Sequence, residues 1–123
     1  MDEPVYFRVE RDAARGFVRI IRTSTPMPGN LAEIRAAFAH IQPEVAKLAG
    51  TRALLDLRAG PGRNDPDFEA ASRELRQSIL SQFTRVAILV RSAAGKLQVK
   101  RLSEGEGAVF LDEAEALRYL TQP

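Results

Sequence analysis

Hydrophobic and polar residues alternate at the start of the chain. In Val5–Arg11, Val5, Phe7 and Val9 share one side while Tyr6, Arg8 and Glu10 share the other, the period of a strand with one buried face. A turn, DAARG, ends at Gly16, and Phe17–Thr23 follows, rich in β-branched and aromatic residues. The pair predicts an antiparallel hairpin. Two prolines in Ser24–Gly29 then break the chain, and the period changes. Leu31, Ile34, Phe38, Ile41, Val45 and Leu48 recur at spacings of three and four, which predicts an amphipathic helix of about five turns. Asn30 stands at its cap with Glu33 in capping-box register. Pro43 removes a hydrogen bond and disfavours helical geometry at Gln42, so a kink or two shorter helices are expected, with Gly50 as the stop.

Thr51–Leu57 is a nearly continuous apolar run, as a strand covered on both faces requires. After a glycine-bearing loop, Asp65 is placed to cap a helix with Pro66 at its first position. Phe68, Ala71, Leu75 and Ile79 form the inward stripe of this helix, with Phe83 closing it. Glu69, Arg73, Glu74, Arg76 and Gln77 are assigned to its polar side. Arg85–Val90 predicts a second buried strand. Lys96–Leu102 alternates Leu97 and Val99 with Lys96, Gln98 and Lys100, which predicts a half-exposed outer strand. Ser103–Gly107 is a flexible link and Ala108–Phe110 a short strand. A closing helix follows, with Asp112 and Glu115 in capping-box register and Ala114, Leu117 and Leu120 inward. The expected order is β-β-α-β-α-β-β-β-α. Two strand–helix–strand passages at its centre predict parallel neighbours, so the fold class is α/β, a mixed sheet with helices packed on it. No repeat or linker divides the chain, and a single domain over residues 1–123 is expected.

Composition narrows the chemistry. Hydrophobic residues make up 45% and charged residues 28% of the chain, a globular balance. Eighteen Lys and Arg stand against sixteen Asp and Glu, a net charge of +2. The signs are mixed along the chain, which gives no footprint for nucleic acid. The absence of cysteine excludes disulfides, thiolate nucleophiles and cysteine-bound metals, and a lone His40 excludes a histidine-rich metal site. The N-terminal residues lack the basic start and apolar stretch of a signal peptide. No apolar run approaches the ~20 residues that span a bilayer, so a cytoplasmic protein without a membrane span is expected.

The stretch LLDLRAGPGRNDPDFE (Leu54–Glu69) has the layout of an anion site: a strand, a loop with two glycines, and a helix start. Its residue types oppose that chemistry. Pro66 lacks an N–H, Asp65 and Asp67 bring negative charge to the helix start, and neither a P-loop nor a GxGxxG motif is present. His40 has no partner set of the Ser–His–Asp or Cys–His kind assignable from spacing, and reads as a surface or boundary residue. The paired acids Asp65 and Asp67, or Glu113 and Glu115, stand at helix starts that favour acids anyway. No catalytic residue, cofactor or metal ligand is assigned.

Three segments carry a family resemblance. RALLDLRAG resembles the central strand of STAS-like domains, and of their SpoIIAA-like branch in particular. DFEAASRELRQSILSQFTRVAILV resembles the helix and strand that follow it, and GAVFLDEAEALRYL resembles the closing segment. The resemblance covers roughly Val5 to Leu120. It implies a non-enzymatic module of bacterial-type signalling that acts through protein–protein contacts. In the anti-sigma-factor antagonists of this fold, a Ser or Thr at the start of the helix after the central strand is phosphorylated. Here NDPDF holds that position, and Ser72 lies well inside the helix near its buried side, so the usual switch is missing. Asp65 at that position reads as a cap before it reads as a charge mimic.

The expectation is therefore a non-catalytic regulatory or scaffolding domain. It would dock a protein partner through the loop and the outer side of the next helix, with Arg58, Arg63, Asn64, Asp65, Asp67, Arg73 and Arg76 as the contact residues. The alternative is a binder of a lipid or other apolar small molecule. Some SpoIIAA-like relatives resemble lipid-binding folds, and the prolines at 26, 28 and 43 would leave a cavity beside the first helix, near Met27, Phe38 and Ile41. Lys96–Leu102, as an outer strand, leaves homodimerisation open through its edge, although its three basic residues protect that edge.

Overall fold

The computed structural model describes residues 5–48, 50–61, 65–102 and 108–123, with the side chains of all but 79, 80 and 100–102. Among these residues the elements run β1 (Phe7–Asp12), β2 (Phe17–Arg22), α1 (Leu31–Ala39), α2 (Gln42–Ala46), β3 (Arg52–Asp56), α3 (Pro66–Gln82), β4 (Arg85–Leu89), α4 (Ala93–Leu102), β5 (Ala108–Phe110) and α5 (Glu113–Thr121). The strands form one sheet in the order β1-β2-β3-β4-β5. Only the β1–β2 hairpin is antiparallel. The pairs β2–β3, β3–β4 and β4–β5 are parallel.

The sheet is covered on both sides, and strand alternation sorts its residues between two cores. Val18, Ile20, Ala53, Leu55, Val86 and Ile88 point to the front, where α1 to α4 add Ile34, Phe38, Val45, Leu75 and Val99. Phe17, Leu54, Ala87 and Leu89 point to the back, where α5 alone covers them with Ala116 and Leu120. The continuous apolar runs of β3 and β4 follow from this two-sided burial.

The local signals explain most boundaries. The Asn30 side chain accepts the Glu33 N–H at 2.9 Å, and its amide donates to the Glu33 carboxylate, a reciprocal cap. Pro43 splits the expected long helix into α1 and α2. Gly50 turns the chain at φ +89°, a left-handed conformation that side chains oppose. Asp65 caps α3 by accepting the Phe68 N–H, and Asp112 caps α5 by accepting the Ala114 N–H.

Three expectations are corrected. Lys96–Leu102 belongs to helix α4 and is not an outer strand, so the argument for pairing through its edge falls with it. The alternation of Leu97 and Val99 imitates a strand, but in a helix two residues apart means about 200° of rotation. Val99 is accordingly buried and Leu97 is 70% exposed. The parallel β4–β5 pair needs such a crossover, and Ser92 starts it by accepting the Gly95 N–H at 3.1 Å. Second, Arg76 does not lie on the polar side of α3: it is buried, beside Ser72 and Leu75. Third, Ala114 is exposed and Ala116 takes the inward place on α5. The link Ser103–Gly107 and the side chain of Ile79 lie outside the described residues.

Candidate functional site

The parallel strands end at a cavity of about 700 Å³ between the front face of the sheet and helices α3 and α4. Open α/β sheets place their ligand crevices outside the carboxyl ends of their strands, and this one obeys that rule. Leu55 and Leu57 at the end of β3 and Val90 after β4 form one side; Phe68 and Leu75 of α3 and Val99 of α4 form another. Leu97 stands at the mouth, where its exposure leaves a large apolar side chain in water.

Charge around this apolar space has one sign. Among the described lining residues there are three arginines, Arg22, Arg76 and Arg91, and no acid. Arg22 is a structural cation. It ends β2 at 6% exposure, and its guanidinium donates to the carbonyl oxygens of Thr23 at 2.5 Å, Thr25 at 2.6 Å and Tyr6 at 3.3 Å. Burial holds its pKa below the ordinary arginine value, opposed by Tyr6. The loop after β3 crosses directly over it. A Cβ on Gly60 would lie 2.7 Å from Arg22 Cγ, so only glycine lets the backbone approach this closely.

Arg76 is different. It is 7% exposed, and its Nε and Nη2 atoms are closed off from water without a hydrogen-bond partner. Burial pushes its pKa down to about 10, helped by the neighbouring charge of Arg73 and opposed by Glu69. The group therefore stays charged at neutral pH. Glu69 itself accepts the Gln98 amide at 3.3 Å, a bond that ties α3 to α4 across the cavity. Ser72, one turn before Arg76, is also buried and lines the same cavity.

A second polar cluster lies on the back face. The buried Asp56, at the end of β3, accepts from Arg58 Nε at 3.0 Å and Nη2 at 2.9 Å and from the Arg58 N–H at 3.1 Å. Arg58 Nη2 also reaches Glu113 at 2.8 Å, and Arg19 lies 3.7 Å from the same carboxylate. Burial alone would raise the Asp56 pKa, but the bonds from Arg58 and the charge of Arg19 hold it below the ordinary carboxylate value. This network fixes the start of α5 to the sheet; it is a structural tie.

Of the seven residues expected to form one docking surface, the five that are described stand in different places. Arg58 is engaged on the back face, Arg76 is inside the front cavity and Asp65 is a helix cap. Asp67 and Arg73 are exposed on α3, and Arg63 and Asn64 lie outside the described residues. His40 is exposed at the end of α1, in agreement with its reading as a surface residue. The expected cavity near Met27, Phe38 and Ile41 is displaced. Phe38 lines the large cavity, Met27 is core, and Ile41 borders only a recess of about 220 Å³ at the α1–α2 break.

Among the described residues, the mixed five-stranded sheet with one helix on its back face is a SpoIIAA-like, STAS-like α/β fold. In comparison with solved structures, the chain is similar to an uncharacterized protein of the DUF3478 family with a SpoIIAA-like fold from Shewanella loihica PV-4. The identity is 16%, the match covers 98% of each chain, and the TM-score is 0.62. No protein-family model and no curated protein matches the sequence. Among the described residues no helix is long and apolar enough to cross a membrane.

Proposed function

We propose that this protein is a non-catalytic binding module that holds an apolar small molecule in the cavity between the sheet, α3 and α4. The observation that carries the reading is a space of about 700 Å³ in which nine of the nineteen described lining residues are Phe, Leu or Val. Small-molecule sites are concave, mostly apolar and about 300–1,000 Å³ in volume, with a few polar groups that orient the ligand. An open space of this size leaves apolar lining side chains facing water in a chain of 123 residues. A bound apolar molecule removes that surface from water. Native mass spectrometry of the purified protein, before and after organic extraction, tests the reading. Bound apolar mass that disappears on extraction supports it. A protein that carries nothing and takes up no hydrophobic dye sinks it.

A second reading, a regulatory protein-interaction module, draws support from the SpoIIAA-like fold and from the outer side of α3. There Asp67, Arg73, Glu74 and Gln77 present a mixed-charge surface. Charge reversal at Asp67 and Arg73 should abolish capture of its partner; unchanged capture removes this surface from consideration.

A further inference from the structure

Arginines in this protein grip carboxylates by one edge. Arg35 donates from Nε at 3.0 Å and Nη2 at 2.7 Å to the two oxygens of Glu74. Arg58 does the same with Asp56. The Nε–Nη2 edge is a planar fork that matches the two oxygens of a carboxylate. In Arg76 these same two atoms have no partner. A buried charge with hydrogen-bond donors left unmet is unfavourable, so a fold is not expected to keep one without a use. Arg76 lines the cavity, and the hydroxyl of Ser72 stands one helical turn away on the same face.

We propose that the ligand of this cavity is an amphipathic monocarboxylate, with its apolar body among Phe68, Leu75, Leu97 and Val99 and its carboxylate held by Arg76 and Ser72. The proposal rests on the cavity being a binding site, and adds the chemical class of what it binds. One carboxylate suffices, because the Arg22 guanidinium is committed to backbone carbonyls and Arg91 is exposed to solvent. No acid is among the described lining residues; the nearest, Glu69, stands behind Gln98, which donates to it at 3.3 Å. Binding includes a turn of the Arg76 side chain, since its free edge is closed off from water in this conformation. At about 30 Å³ per water-sized group, the cavity holds roughly 20 non-hydrogen atoms, enough for a medium-chain acid.

The test compares three ligands of equal chain length at submicellar concentration: dodecanoate, 1-dodecanol and dodecylammonium. Isothermal titration calorimetry measures each with the wild type, Arg76→Met and Arg76→Lys. The wild type should prefer dodecanoate to dodecanol by about tenfold or more, the yield of a hydrogen-bonded charge pair. It should bind dodecylammonium weakest. Arg76→Met should lose the preference and still bind dodecanol, while Arg76→Lys should keep part of it. The thermal midpoint of unliganded Arg76→Met should rise, because a buried unpaired cation is gone; a merely structural arginine would lower it when removed. Equal affinity of the wild type for acid and alcohol, or an intact preference in Arg76→Met, overturns the carboxylate assignment and leaves the cavity reading standing. Failure of all three ligands to bind overturns both.

Discussion

The two faces of the sheet are built to different standards. On the back, α5 is fastened at both ends. Its first turn is tied through Glu113 to Arg58 and Arg19. Its last carbonyls accept from two arginines that are register partners at the start of β3 and β4. Arg52 reaches Leu120 O at 2.5 Å and Gln122 O at 2.6 Å, and Arg85 reaches Tyr119 O and Gln122 O at 2.9 Å. The carbonyls that a helix end leaves unmet are thus satisfied by cations, where the helix dipole favours them. On the front, α4 leaves Leu97 in water beside a large cavity, and α3 leaves two buried donors of Arg76 without hydrogen-bond partners. One face is optimised for stability. The other gives up packing and electrostatic satisfaction, a pattern that proteins show where they bind.

The largest consequence is a difference in tolerance to truncation. Leu120, fully buried on the back, should cost about 2–5 kcal/mol when replaced by alanine. Leu97→Ala on the front should change stability by no more than about 0.5 kcal/mol while weakening ligand uptake. Denaturant unfolding of the two variants checks this, and equal losses would erase the distinction between the faces. Next in size is the C-terminal fastening of α5. Arg85→Met should lose about 1.5–3 kcal/mol, since it removes charged hydrogen bonds to two carbonyls and the stacking of Arg85 on the Tyr119 ring at 5.3 Å. A neutral outcome would mean that Arg52 alone holds the helix.

The smallest effect is one of pH. The folded pKa of Asp56 is depressed below its ordinary 3.8, so its contribution is complete above that value and fades as pH falls through the folded pKa. Arg58→Met should therefore be less stable than the wild type at pH 7, with the gap closing below about pH 4 as Asp56 takes up its proton. A gap that stays constant down to pH 2 would show that Arg58 acts by packing.

Much of this division is visible in the residue pattern. The hairpin, the cap at Asn30, the break at Pro43, the two-sided strands β3 and β4 and the cap at Asp112 all follow from local chemistry, and all are present. The features that fail are those where a tertiary need overrides a local pattern. Lys96–Leu102 alternates like a strand, but the β4–β5 crossover requires a helix there. Arg76 is charged, and amphipathic reasoning assigns charge to the outside. Yet it lies only about 100° around the helix from Leu75, and one turn from Ser72, within the breadth of an inward stripe. A polar pair spaced four apart inside an apolar stripe was the available signal. The cavity itself, made by the approach of α3 and α4 to the strand ends, has no counterpart in any single segment.

The difference between the faces is tested most directly by an amide proton–nitrogen NMR titration with dodecanoate. The shifts should concentrate at Phe68, Ser72, Leu75, Arg76, Leu97 and Val99 and at the strand ends near Leu57 and Val90, while α5 and the starts of β3 and β4 stay unmoved. Shifts centred on α5, or no saturable shifts at all, would contradict the assignment of the front face as the binding face.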